Sequence, residues 1–240
     1  MPLNASRASF LFFCLFSCTA VTAQVDHQPP SPDSISLNYT RDLGLNARLY
    51  NGPEYEDYSN TVKIGFPYFE SKNHQQGSVI FDSILYPNVQ LRFDLVYDYL
   101  MVLHPVSYVS MQLRNETISG FTIGNHLFVH LGVDSVDRMK NAFYERLYSG
   151  KTPVYVRHRK VLEDRNKSDD IYREAVPYDT YFVLKDNQYH QVRSAKGLYA
   201  IFKGKEKQVQ QHLRKQKIRF KKNKELAIVQ AATFFDQLTN

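Results

Sequence analysis

Between Ala47 and Gln191 apolar residues alternate with polar ones, and turn-forming residues interrupt the pattern at short intervals. Val89, Leu91, Phe93 and Leu95 alternate with Gln90, Arg92 and Asp94. Val109, Met111 and Leu113 alternate with Ser110, Gln112 and Arg114. A period of two puts successive side chains on opposite faces of a strand, one face buried and one wet. The same reasoning predicts strands over 79–84, 99–103, 118–123, 127–131, 154–162 and 181–184. Pro87-Asn88, Pro105, Arg114-Asn115, Gly124-Asn125, Ser149-Gly150 and Asp186-Asn187 supply the turns between them. Short strands joined by short turns imply an antiparallel meander, because parallel neighbours need crossovers of a dozen residues or more. One helix is expected inside this region, over 136–148, with Val136, Met139, Phe143 and Leu147 on one face and Asp134 or Ser135 as its cap.

The last fifty or so residues have a different period. Ser194 suits the N-cap of a helix over 195–202, and Gly204 interrupts it. Val209, Leu213 and Gln216 mark one face of a second helix. Asn223 suits the cap of a third, with Glu225 in its first turn and Leu226, Val229, Thr233 and Leu238 at helical spacing. The expected fold class is therefore mainly β (α+β): an antiparallel β-meander body over 47–192, then a small helical tail over 193–240. With 16 Phe and 17 Tyr, the chain has the aromatic content that a disordered sequence lacks.

Met1 to Ala23 read as a signal peptide. Arg7 gives a small positive n-region, Phe10 to Phe16 an apolar stretch, and Val21-Thr22-Ala23 the small residues that precede cleavage. The alternative is a lipobox at Leu15-Phe16-Ser17-Cys18, which would anchor the chain through a lipidated Cys18. Both cysteines, Cys14 and Cys18, lie in this leader. A product beginning at Gln24 would have no thiol, and so no disulfide, thiol catalysis or Cys-based metal site. Residues 24–46 contain Pro29, Pro30 and Pro32 and read as an extended spacer. The address implied is outside the cytosol, in a periplasm or at an outer-membrane periphery.

Charge is unevenly spread. Residues 185–240 hold 13 Lys and Arg against 4 Asp and Glu, a net of +9, whereas 24–184 hold 16 against 20, a net of −4. The densest stretch offers Arg214, Lys215, Lys217, Arg219, Lys221 and Lys222 as an anion-contacting patch. Such a patch attracts anions over a Debye length of roughly 8–10 Å. Its partners would be anionic lipid or another anionic envelope component. Nucleic acid is not expected, because export takes the chain away from it and no recognised module accompanies the patch.

Motifs for chemistry come close and fail. Gly150-Lys151-Thr152 resembles the end of a phosphate-binding loop, but Glu145 stands where that loop needs glycine. Lys196 to Phe202 resembles an RNA-recognition strand, with Leu198 and Ala200 in place of the stacking aromatics. His126 and His130 would lie about 13 Å apart on one strand face, too far for one metal ion. No cofactor or metal is implied. Two alternatives remain. A curled sheet lined by Phe93, Tyr97, Phe121 and Phe128 could carry an apolar ligand. A carboxylate pair such as Asp94 and Asp98 could run acid–base chemistry if burial separated the two pKa values.

Several short segments carry a resemblance. They are the leader ending Thr22-Ala23-Gln24, Tyr50 to Tyr55, Gly77-Ser78-Val79 leading into Tyr86 to Leu91, and the run Lys217 to Lys222. Together they resemble a group of exported envelope proteins of the Bacteroidetes with no assigned activity. The resemblance implies bacterial export and a Gram-negative envelope, and it carries over no catalytic residue. The expected function is that of a non-enzymatic binding or structural component of the bacterial envelope.

Overall fold

The computed structural model describes residues 48–132, 139–167 and 170–239; the expected signal peptide and spacer lie outside the described residues. The chain is mainly β with a helical end, an α+β fold. Among the described residues eleven strands form one sheet: β1 (Val62–Ile64), β2 (Gln75–Phe81), β3 (Ile84–Asp94), β4 (Tyr99–Leu103), β5 (Ser110–Gln112), β6 (Ile118–Ile123), β7 (His126–Leu131), β8 (Ala142–Tyr148), β9 (Val154–Lys167), β10 (Asp170–Lys185) and β11 (Gln188–Val192). Two antiparallel meanders, β2–β5 and β6–β11, meet where β6 pairs with β2. The far edge of β10 takes β11 along one end and the short β1, in parallel, along the other.

The sheet curls on itself because β8 and β9 do not stay together. Their ladder covers only Glu145 to Tyr148 against Val154 to Val156. Beyond it the β3–β4 turn enters: the Lys160 N–H donates to the Leu95 carbonyl at 2.9 Å, and the Phe143 N–H donates to the Asp98 carboxyl. The segment before β2 follows the same path, with the Phe69 N–H on the Phe93 carbonyl at 2.8 Å. Inside the curl sit Phe69, Phe93, Phe121, Phe128 and Phe143, all buried. Phe121 stacks on Phe128 at 4.7 Å between centroids, and Phe93 meets both edge-on. Full burial of a Phe side chain is worth roughly 1.5–3 kcal/mol, so these rings dominate this core.

A second core lies where helices cover one end of β9–β11. The helices are α1 (Ala195–Ile201), α2 (Glu206–Lys215) and α3 (Lys224–Leu238). Val154, Val156, Tyr181, Val183 and Val192 from the sheet meet Leu198, Phe202, Val209, Leu213 and Ile228 from the helices. The Ser194 hydroxyl caps α1 by accepting from the Gly197 N–H at 3.1 Å. Asp236 near the end of α3 pins the layer to the sheet, accepting from the Tyr148 hydroxyl and the Thr152 N–H, both at 3.0 Å. No helix among the described residues is long and apolar enough to cross a membrane.

Four expectations need correction. The described part of the helix expected over 136–148 is strand β8, because Ala142 and Tyr144 face one side, Phe143 and Glu145 the other, and β7 and β9 supply the hydrogen bonds. Pro87-Asn88 is not a turn between strands; it lies within β3, where Asn88 takes φ +56 and the ladder to β2 shifts register. The strand expected over 154–162 is longer: β9 continues to Lys167, which pairs with Asp170 of β10. Finally, α3 buries Ala227, Ile228, Ala231 and Ala232 rather than the face carrying Leu226, which is 43% exposed, and Asn223 makes no side-chain cap bond. Small residues let α3 approach the sheet closely, and that closeness outweighs the larger side chains on the other face.

Candidate functional site

Period two aligns an ionisable row on the inner face of the sheet. Asp179 on β10 stands opposite His158 on β9. Glu145 on β8 stands opposite Phe128 on β7, two residues from His126. The side chains join into one chain. His158 Nδ1 donates to Asp179 Oδ1 and its Nε2 donates to Glu145 Oε2, each at 2.8 Å. The other Glu145 oxygen meets His126 Nδ1 at 2.7 Å, and His126 Nε2 lies 3.3 Å from Glu70 Oε1. Phe69 covers both imidazoles at about 5 Å between ring centroids. Burial alone would lower the pKa of His158, but its two carboxylate partners outweigh this and raise it to about 9. Burial alone would raise that of Glu145; hydrogen bonds from His158 and His126 overcome this and hold it below the usual carboxylate range.

Both His158 ring nitrogens face carboxylate oxygens and its pKa is raised to about 9, so at neutral pH both donate and neither is left to accept a proton. The row is therefore a run of imidazoles set between carboxylates, with His158 held as a donor to both of its neighbours rather than as a free base. Its sequence signal was present, since His126, Glu145, His158 and Asp179 all sit on polar positions of predicted or actual strands. What the sequence could not give was the strand order that brings them together. His130 goes elsewhere, tilted against Phe143 at 4.8 Å. Among the described residues, no three His, Cys, Asp or Glu are placed to hold a metal ion.

A second polar cluster fastens residues 55–72 to β3. Asp94 is fully buried and accepts from the Tyr55 and Tyr58 hydroxyls at 2.6 and 2.8 Å and from the Val96 and Tyr97 N–H groups at 2.7 and 3.2 Å. Burial, reinforced by Asp94, pushes both tyrosine pKa values upward. Arg92 lies over the Tyr68 ring at 4.1 Å and pairs with Asp57 at 3.1 Å. Burial opposes ionisation of Asp57, but hydrogen bonds from Tyr68 and Ser59 prevail and lower it to about 2. Asp98 is raised by its own burial and sits against Arg157, His130 and the Phe143 amide. The two carboxylates considered as an acid–base pair thus serve separate neighbours. Asp94 is saturated by donors, which leaves it an anchor.

The four aromatics considered as a ligand-pocket lining also divide. Phe93, Phe121 and Phe128 fill the inner core ring against ring. Tyr97 is 54% exposed and leans on Tyr58 and Tyr99 outside.

The basic patch is brought together intact. Arg214 and Lys215 end α2, and Lys217, Arg219, Lys221 and Lys222 form the connection to α3; all six are exposed. The connection is ordered from within. Lys217 takes the left-handed conformation at φ +57, and the Ile218 N–H closes on the Leu213 carbonyl at 2.9 Å, a helix-ending pattern that frees the chain to turn. The Lys222 and Asn223 N–H groups both return to the Arg219 carbonyl at 3.0 Å. Ile218 and Phe220 point inward to the helical core, which leaves the alternating cations outside. No acidic residue occurs between Glu206 and Glu225. Among the described residues, none of the six cations forms an ion pair. Lys224, the next cation, is different: it turns back over the Tyr181 ring at 4.8 Å, and burial lowers its pKa.

No family model, curated protein or solved structure matches the chain.

Proposed function

We propose that this chain is an exported, non-enzymatic binding or structural component of a bacterial envelope, of the kind it resembles in the Bacteroidetes. In this reading it contacts anionic groups, foremost the phosphates of anionic lipid, through the α2–α3 connection. The observation that carries the proposal is the set of six exposed cations at the end of α2 and on the internally fixed connection after it, unpaired among the described residues. A fixed loop loses less conformational entropy on binding than a flexible one. Each Lys or Arg near an anionic membrane surface is worth roughly 1 kcal/mol, so several acting together suffice for peripheral attachment. The leader-like first 23 residues support a location in the periplasm or at the outer-membrane periphery.

Sedimentation with vesicles tests this. Vesicles containing phosphatidylglycerol should carry the protein down at low salt, and pure phosphatidylcholine vesicles should not. Reversing Lys217, Arg219, Lys221 and Lys222 to Glu should weaken binding by more than about tenfold. Equal binding to both vesicle types, or full binding by the reversed variant, would dismiss the loop as the contact.

A further inference from the structure

A groove of 610 Å³ runs between the β10–β11 turn and α1, away from the α2–α3 loop in sequence and built from different elements. Its size falls in the range of small-ligand sites, roughly 300–1,000 Å³. Gly197 and Ala200 keep the α1 wall low. Lys185, His190, Arg193 and Lys203 bring basic groups to it, and Gln188 and Gln191 add side-chain amides. Asp186 is the acid in its lining, and it reports the local field. Its carboxyl is held below the usual range, first by the hydrogen bond from Lys185 and then by the charges of Lys185, His190 and Lys203. Lys185, His190 and Lys203 thus share the lining of one groove with Asp186 between them. Arg193 is also oriented: Gln191 Oε1 accepts from Nε at 3.0 Å and from Nη2 at 2.6 Å. That bond fixes the guanidinium plane, and among the described residues Nη1 has no partner.

We propose that this groove binds an acidic saccharide, a sugar unit or short oligomer bearing carboxylates. The guanidinium and ammonium groups match carboxylates, with Arg193 supplying a planar fork at the rim. The Gln188 amide can both donate to and accept from hydroxyls, and Gln191, whose oxygen is taken by Arg193, adds its amide N–H groups as donors. The apolar part of the lining is small, Ala200 and Ile201 beside Gly197 with the Tyr189 ring, an aromatic face of the kind on which a sugar ring packs. The proposal does not need the α2–α3 loop to bind lipid.

The test is calorimetric titration of the full protein with digalacturonate, alongside a neutral disaccharide and inorganic phosphate. Saturable binding of digalacturonate is expected, with clearly weaker binding of both others. Arg193→Ala with Lys203→Ala, both exposed positions, should weaken it about tenfold or more. Asp186→Asn should strengthen it several-fold by removing the competing carboxylate. The same Arg193 and Lys203 variant should still sediment with anionic vesicles as wild type does, which separates this groove from the loop. Absence of saturable binding, equal affinity for the neutral sugar or for phosphate, or indifference to the double substitution would each overturn the proposal.

Discussion

The row from Glu70 to Asp179 and the loop from Arg214 to Lys222 place charge in opposite surroundings. In the row, the two mostly buried groups, His158 and Glu145, have partners at 2.7–2.8 Å, and Phe69 packs against both imidazoles. In the loop, like charges stand side by side in water with no partner among the described residues. Buried charges that have lost a partner cost several kcal/mol, whereas exposed ones cost almost nothing. The row should therefore be visible in folding stability and silent in binding. The loop should be silent in stability and visible in binding.

The largest effect expected of this contrast comes from Glu145, which serves two imidazoles at once. Glu145→Ala leaves His158 buried with one carboxylate and His126 without its shorter contact. The cost should be about 3–5 kcal/mol, read as a fall in the urea midpoint with an unchanged slope. A loss below about 1 kcal/mol would mean that water reaches the row and the two regions do not differ as described.

A smaller effect follows from proton linkage at His158. Its pKa is raised in the folded chain from 6.5 to about 9. Its contribution is thus fully present below pH 6.5 and disappears as the pH rises through about 9. Glu145 has the opposite sign: its pKa is lowered, so its contribution is present above the ordinary carboxylate range and disappears as the pH falls. Stability should therefore peak in mildly acidic solution and decline by up to roughly 3 kcal/mol between pH 6.5 and 9. His158→Gln should flatten that decline. If the slope survives in the variant, another group controls alkaline stability.

The two regions also differ in how far they could be read from sequence. The loop was legible residue by residue, because its cations are contiguous and an exposed turn keeps neighbours together. The strands 99–103 and 118–123 were equally legible, since alternation reports a local property. The row was not, because Asp179, His158, Glu145 and His126 become neighbours only through the order β10-β9-β8-β7. Of the four residues expected to line an apolar pocket, Phe93, Phe121 and Phe128 lie together in the inner core and Tyr97 lies outside it; alternation cannot say whether an inner face encloses space or fills it. The error over 136–148 has a similar origin. Met139, Phe143 and Leu147 fit a helical face, yet β7 and β9 offer β8 hydrogen bonds that local spacing does not reveal. Small residues misled in the opposite direction on α3, where Ala227, Ala231 and Ala232 mark the buried side by allowing close contact.

The smallest expected effect is the most discriminating. Reversing Lys217, Arg219, Lys221 and Lys222 to Glu should leave unfolding stability within about 0.5 kcal/mol of wild type, because exposed charges away from partners contribute little to folding. The apolar residues that fix the connection, Ile218 and Phe220, are untouched, and so is the Lys217 to Arg214 backbone bond that closes α2. Any change should be towards greater stability, since the substitutions relieve repulsion among like charges, and added salt should erase it. A variant that keeps its urea midpoint but no longer sediments with anionic vesicles would separate the loop's role in contact from any role in folding. A midpoint that falls by more than about 1 kcal/mol would show the cations to be engaged with the fold itself, and the contrast with the buried row would then be lost.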